Sequence, residues 1–311
     1  MVNRSLLAVV VLAGLSSCQA SSADGAREAA FPSSPVTQLV LLGTGTPNAE
    51  PDRAGSALAI VVNGTPYLVD AGPGVVRRAN EAFQKGIQGL AVNRLSRVFL
   101  THLHTDHTLG LPDLIYTPWV LERESPLLII GPAGTEAMAR HLSLAYQNDV
   151  RVRLEGLEPA NPTGYQVDAR DVEPGIVYED DNVTVTAFAV SHGSWDMAFG
   201  YRFETPDRTV VVSGDTRPTE SVVGNCDGCD ILVHEVYSHA KWELRSEVWK
   251  EYHAASHTSG VQLGGIAARA RPEILVLTHQ LLWGATPEEL LAEVRQGFGG
   301  RIAYGRDLDV F

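Results

Sequence analysis

THLHTDHTLG, residues 101–110, sets three histidines and an aspartate within six positions, directly after the apolar run Val98-Phe99-Leu100. A strand alternates its side chains, so His102 and His104 share one face while Asp106 and His107 sit just beyond, in the turn. Convergent imidazoles at that spacing suit zinc, which takes nitrogen and carboxylate ligands in tetrahedral or slightly expanded geometry. Four such groups crowd one metal, whereas two metals accommodate them. Read alone, the stretch is also compatible with a polar loop and one structural histidine, so its context has to decide. The pattern recurs: His192 ends VTVTAFAVSH, Asp215 ends RTVVVSGD and His279 ends EILVLTH. Together these place seven ligand-type residues at the ends of four strands, where the active sites of sheet proteins commonly gather.

The rest of the chain is consistent with one layered sheet-and-helix domain. At 311 residues and 44% hydrophobic composition it can bury a sizeable core. From Val36 onward, VTQLVLLG, SALAIVVN, TPYLVDAG and SRVFLTH read as successive strands, followed by a helical pattern at about 108–121, a strand at PLLIIGP and a helix at about 133–148. Strands recur at VTVTAFAVSH, MAFGYRFET, RTVVVSGD, DILVHEV and EILVLTH. Helices are expected at about 259–270 and 286–296, and a last strand near 301–304. Nothing marks a second domain boundary within 36–311.

The formal net charge of −13, from 37 acidic and 24 basic residues, is spread without like-charge runs. That disfavours general affinity for nucleic acid, which draws its strength from Lys and Arg on phosphates. The N-terminus, MVNRSLLAVVVLAGLSSC, has Arg4, an apolar segment from Leu6 to Leu15 and small residues ending in Cys18. This reads as an export signal, too short to span a bilayer as a mature helix. Leu15-Ser16-Ser17-Cys18 resembles the lipobox of bacterial lipoproteins, which makes residues 1–17 the signal peptide and Cys18 a lipidated N-terminus. An ordinary signal cut near Ala20 to Ala23 is the alternative. Residues 18–35, rich in Ala, Ser and Pro, read as a flexible tether. Either way the protein is expected outside the cytoplasm, periplasmic or anchored to a bacterial membrane through Cys18 alone. There a disulfide between Cys226 and Cys229 is plausible, two unpaired thiols being the alternative.

Taken in order, LGTGTPNAEPDRAGSALAI, VDAG, THLHTDHTLGLPDL, SHG, SGDT, HEV, ASHTSG and LTHQ resemble the metallo-β-lactamase superfamily. More narrowly they resemble the branch of ribonuclease Z and the zinc arylsulfatase-like phosphodiesterases. The resemblance implies an α/β fold, the αββα four-layer sandwich, with two zinc ions, manganese or iron being alternatives. It implies that one ion is held by His102, His104 and His192 and the other by Asp106, His107 and His279, with Asp215 bridging. Asp70 would hold a ligand histidine by hydrogen bond. Two metals sharing a water lower its pKa and clamp attacking and leaving oxygens, the chemistry of ester hydrolysis. Asp106 would also orient that water. His257 matches the family histidine that acts near the leaving group, and Glu235 the acidic residue that orients it, together a general acid. Without the resemblance, His257 reads as a polar residue at a helix N-terminus with Ser256 or Thr258 as the cap.

Ribonuclease Z enzymes carry an extended arm between the second and third metal motifs. The matching interval, Gly110 to Ser191, contains DVRVRLEGLEPANPTGYQVDARDVEPG, long enough for a short arm but evenly mixed in charge. With the export signal and the acidic balance, a small phosphodiester or aryl sulfate ester is the expected substrate, and nucleic acid is not. Lactonase or β-lactamase-type hydrolysis, tRNA 3′-endonuclease activity and a non-catalytic metal-binding protein are the alternatives. A homodimer is expected only by analogy with the branch. His234, His239 and His253 match no family position, His141 lies in the helical segment 133–148 and reads as a solvent or core residue, and Tyr116, Trp119, Trp195 and Trp242 are candidates for a pocket wall, the core being the more frequent place of buried aromatics.

Overall fold

Apolar side chains run without interruption over Leu39–Leu42 and Ala57–Val62, so strands made of them need cover on both faces. The computed structural model of the chain describes residues 36–311 and supplies that cover. The expected signal peptide, Cys18 and the tether lie outside the described residues.

The first half of the chain contains β1 (Thr37–Gly43), β2 (Ala57–Val62), β3 (Thr65–Val69), α1 (Val75–Gln84), β4 (Arg97–Phe99), α2 (Thr105–Thr108), α3 (Leu111–Val120), β5 (Leu127–Gly131), α4 (Thr135–Ala145), α5 (Gln147–Glu155) and β6 (Val167–Asp171). The second contains β7 (Gly175–Glu179), β8 (Thr184–Val190), β9 (Ala198–Glu204), β10 (Thr209–Val212), α6 (Glu220–Cys226), β11 (Ile231–Tyr237), α7 (His239–Trp242), α8 (Glu247–Ser256), α9 (Gly260–Ala270), β12 (Ile274–Leu281), α10 (Pro287–Arg295) and β13 (Arg301–Tyr304).

The six strands of the first half form one sheet in sequence order, and the seven of the second form another in the order β13-β12-β11-β10-β9-β8-β7. In the first, β1 to β3 are antiparallel and β3 to β6 parallel. The second has the parallel strands β10 to β13 and the antiparallel strands β7 to β10. Strand periodicity then sorts the side chains. Leu39, Leu41, Leu58 and Ile60 meet Val185, Phe199, Tyr201 and Val233 between the sheets. Their neighbours Val40, Leu42, Ala59 and Val61 face outward, against Val76 and Ala79 of α1 and Leu114 of α3. Leu232, Leu275 and Leu277 pack instead against Leu263 and Ile266 of α9 and Leu290 of α10. Three apolar layers between four layers of structure are the αββα sandwich that the sequence motifs imply.

Most expected elements are present, with several differences, the helices α1 and α2 being among those not expected. The single helix at about 133–148 is two helices, because Tyr146 leaves helical geometry at φ −101° and ψ 6°. The helices α6, α7 and α8, between β10 and α9, were not expected. Nor were β6 and β7, and with α5 they take up part of the interval that was long enough for an arm. β6 completes the first sheet and β7 starts the second. The loop before β6 is tied down by buried Arg123, which donates to the carbonyls of Gly164, Leu95, Leu114 and Ile115. Four charge-assisted bonds satisfy a cation that burial would otherwise make costly. Cys226 and Cys229 are joined by a disulfide at the end of α6.

Candidate metal centre

The parallel strands of both sheets run toward one edge of the sandwich, and the chemistry-bearing residues are delivered there by their ends. His102 and His104 follow β4, Asp106 and His107 lie in the short helix α2, His192 follows β8, Asp215 follows β10, and His279 is inside β12. Backbone irregularities aim several of them. His279 has φ 45° and sits where the β11–β12 register slips, since Glu235 pairs with Thr278 and Val236 with Gln280. It is the extra residue of a bulge, which turns its ring out of the ladder and into the site. Asp70, just after β3, has φ 61°, and Gly214, just before Asp215, has φ 60°. Left-handed backbone at non-glycine residues costs energy and tends to persist where surrounding structure enforces it for function.

The donors converge in two sets. His104 Nδ1 lies 3.0 Å from His102 Nε2 and 3.1 Å from His192 Nε2. Three imidazole nitrogens cannot all hydrogen-bond one another at a point, since each neutral ring has one N–H. His192 is fixed for this task because its Nδ1 donates to the Ser256 carbonyl at 2.7 Å, leaving the Nε2 lone pair facing the cluster. Burial pushes His104 and His192 down to about 4 and His102 well below its usual range, so all three are held in the neutral form that ligates. In the second set, His107 Nδ1 donates to Asp70 at 2.7 Å, a carboxylate also gripped by the Thr101 backbone N–H and hydroxyl. His107 Nε2 is thereby pointed at Asp106 and Asp215, 3.4 Å from a carboxylate oxygen of each, with no hydrogen bond formed. His279 Nε2 lies 3.1 Å from Asp106 and 3.6 Å from Asp215.

Asp215 joins the sets. Its Oδ2 is within 3.9 Å of His102, His107, His257 and His279. Burial opposes its charge, yet His279 and His107 hold its carboxyl well below the ordinary range. An ionised carboxylate buried this deeply requires positive charge beside it. The donors therefore fit divalent cations: His102, His104 and His192 lie within ligating range of one another, as do Asp106, His107 and His279.

Beside them, His257 Nδ1 is 3.3 Å from Glu235 Oε2, while Glu235 Oε1 accepts the Thr258 N–H at 2.7 Å. Burial, then Asp215, pushes the Glu235 carboxyl well up, and burial pushes His257 down to about 4, so burial disfavours charge on either member of the pair. His257 ends α8 rather than starting α9. The cap of α9 is Ser259, in a capping box with Gln262, and not Ser256 or Thr258.

A cavity of about 600 Å³ opens over these residues. His104, Asp106, Asp215, His257 and His279 form its floor, and Arg245, Val248, Trp249, Tyr252, His253 and Trp283 its wall. Of the aromatic residues singled out in the sequence, Trp119 and Tyr116 belong to the core and Trp242 packs on Tyr237. Trp195 alone reaches the site, its indole N–H 3.0 Å from His104 Nε2. The wall residues Arg245, Trp249 and Trp283 went unnoticed, although the density of tryptophan in KWELRSEVWKEYH was a signal. His253 lies in the wall, His234 is buried beneath the floor, and His141 is on exposed α4.

The comparisons with known proteins agree with this geometry. Residues 65–280 match the model of the β-lactamase superfamily domain. A protein named ribonuclease Z from Mycobacterium sp. (strain KMS) is 34% identical over 277 residues, covering 88% of this chain and 95% of that protein. The crystal structure of the metallo-β-lactamase fold protein YhfI from Bacillus subtilis superposes with a TM-score of 0.68 at 18% identity, over 88% of this chain and 98% of that one. The short form of human tRNase Z does so with a TM-score of 0.65 at 21% identity, over 88% and 98%.

Proposed function

The chain belongs to the metallo-β-lactamase superfamily of metal-dependent hydrolases, and from that premise we propose that it is an exported binuclear zinc hydrolase of small phosphodiester or aryl sulfate esters. The observation that carries the reading is Asp215, a buried carboxylate shared between two separate clusters of ligand-type side chains. His102, His104 and His192 would hold one ion, Asp106, His107 and His279 the other, with Asp215 common to both. Bound there, such cations supply Lewis acidity that polarises an ester and acidifies water. Asp70 keeps His107 in one tautomer and one orientation. Asp106, with one oxygen on His279, has its other oxygen free to orient a water. With its Nδ1 facing Glu235, which fixes the ring, His257 would offer its Nε2 proton to the leaving oxygen.

Three features support a small ester. The pocket is walled by aromatic rings and carries a single arginine, the chain has a net charge of −13, and the interval between the motifs supplies strands β5 to β8 of the two sheets beside helices α3, α4 and α5. The disulfide, with the leader-like N-terminus, supports export and anchorage through Cys18, with residues 18–35 as tether to a domain of 36–311. A second reading, tRNA 3′-endonuclease activity, is favoured by the mycobacterial relative named ribonuclease Z, matched over 95% of its length. The test is elemental analysis of the purified protein, with turnover of bis-aryl phosphate, aryl sulfate, lactone, β-lactam and precursor tRNA. Two zinc ions with phosphodiester or sulfate turnover support the proposal; cleavage of precursor tRNA alone replaces it with the second reading, and bound metal without turnover ends both.

A further inference from the structure

The pocket wall contains a cation that the reaction does not use. Arg245 lies between two indoles, its guanidinium carbon 5.1 Å from the Trp283 ring centre and 5.7 Å from that of Trp249. Its Nε is buried without a hydrogen-bond partner, as is that of Arg123, but its terminal nitrogens lack the four carbonyl partners that those of Arg123 have. Arginine is normally found with its planar fork on a carboxylate, a phosphate or a set of carbonyls, as Arg123 is in the same chain. Here two aromatic faces hold the plane by cation–π contact and leave its donors uncommitted in the cavity.

The rings between this arginine and the floor form a continuous surface. His253 stacks on Trp249 with centres 5.5 Å apart and lies 4.5 Å from Trp283 and 5.7 Å from His257. An ester at the metal cluster therefore has a run of ring surfaces, tilted 22° to 52° to one another, leading from His257 to Arg245. On this basis, and resting on the hydrolase reading above, we propose that Arg245 is a specificity residue that selects esters with a flat aromatic body and a second anionic group beyond it. One end of such a substrate reacts over Asp215. The other end, a carboxylate, sulfonate or phosphate, takes the guanidinium fork. The indoles confine the fork to one orientation, which favours a bidentate anion over a neutral polar group.

The test uses the metal-loaded protein and two matched reporters, 4-nitrophenyl phenyl phosphate and 4-nitrophenyl 3-carboxyphenyl phosphate. The carboxylated ester should be preferred in kcat/KM by about 10- to 100-fold, as for a hydrogen bond to a charged group. Arg245→Gln should bring that ratio toward unity, and Arg245→Lys should restore only part of it. A ratio near unity in the wild type, or one unchanged in Arg245→Gln, overturns the proposal. If neither reporter turns over, the phosphodiester form of the hydrolase reading has failed, and binding alone decides this one. Tryptophan fluorescence should then report tighter binding of 3-carboxyphenylphosphonate than of phenylphosphonate, with the difference lost in Arg245→Gln. Equal binding of the two, or displacement of both by a short oligoribonucleotide at lower concentration, overturns it.

Discussion

The floor and the wall of one cavity are built in opposite ways. The expected metal ligands are set in strands or just after them, Asp106 and His107 in the short helix that follows β4, and most are almost wholly buried: His102, His107, His192, Asp215 and His279 are each at most 3% exposed. The remaining floor residue, His257, comes instead from the C-cap of α8. Their positions are over-determined by hydrogen bonds such as Asp70 to His107 and Ser256 to His192. The wall comes largely from α8 and the residues just before it, a segment with no apolar layer of its own. Val248 is 77% exposed, Trp249 49% and Tyr252 41%. The contrast teaches that the chemistry and the choice of substrate are carried by separable parts. Residues in the floor should be intolerant of change, and the wall can vary at little cost to stability.

Substitutions can break that separation. The largest effect is expected for Asp215→Ala, which removes the shared carboxylate; bound metal should fall to one ion per chain or fewer, and turnover to background. An unchanged metal content would show that the two clusters do not depend on it. His257→Ala should keep both metals yet slow turnover by about 10²- to 10⁴-fold, the usual worth of a positioned acid. Loss of metal in that variant would move His257 from proton donor to ligand.

Beneath the floor, His234 is completely buried with its Nε2 unpartnered, and burial pushes it down to about 4. Below pH 6.5 the unfolded chain takes up a proton that the folded one refuses. Stability should therefore fall as pH drops from about 6.5 to 4, with His234 contributing on the order of 3 kcal/mol over the full range. Urea unfolding at pH 7.5 and 5 should show this slope reduced in His234→Phe; an equal slope in the variant would assign the acid sensitivity elsewhere.

Smaller effects follow further out. Asp70→Ala frees His107 and should weaken metal affinity by about 10- to 100-fold in competition with a chelator, without touching the pocket wall. Trp249→Ala should leave metal content and melting unchanged and raise KM for an aryl ester about two- to tenfold, the worth of one aromatic contact. A fall in metal content for Trp249→Ala would erase the distinction between floor and wall.

The floor was legible because its signals are local. HxHxDH occupies one turn, and the remaining ligands close apolar runs that can only be strands, so each histidine or aspartate announced its position. The wall was not legible. Trp249 and Trp283 are 34 positions apart, and nothing in either neighbourhood shows that they meet across Arg245. Trp119 and Trp242, equally prominent in the sequence, went instead to the core and to Tyr237. An aromatic ring is accepted by a core and by a pocket alike, so composition cannot separate the two.

By itself the sequence determined a layered domain of strands and helices and the identity of the donors, since apolar runs and ligand chemistry depend on residue type and near neighbours, while the αββα sandwich came from the resemblance its motifs carry. Only the tertiary structure decided that a bulge turns His279 inward, and that the segment leading into α8 carries an arginine to the pocket. Those depend on where separate strands end in space, which is set by the packing of the whole sandwich rather than by any one stretch of chain.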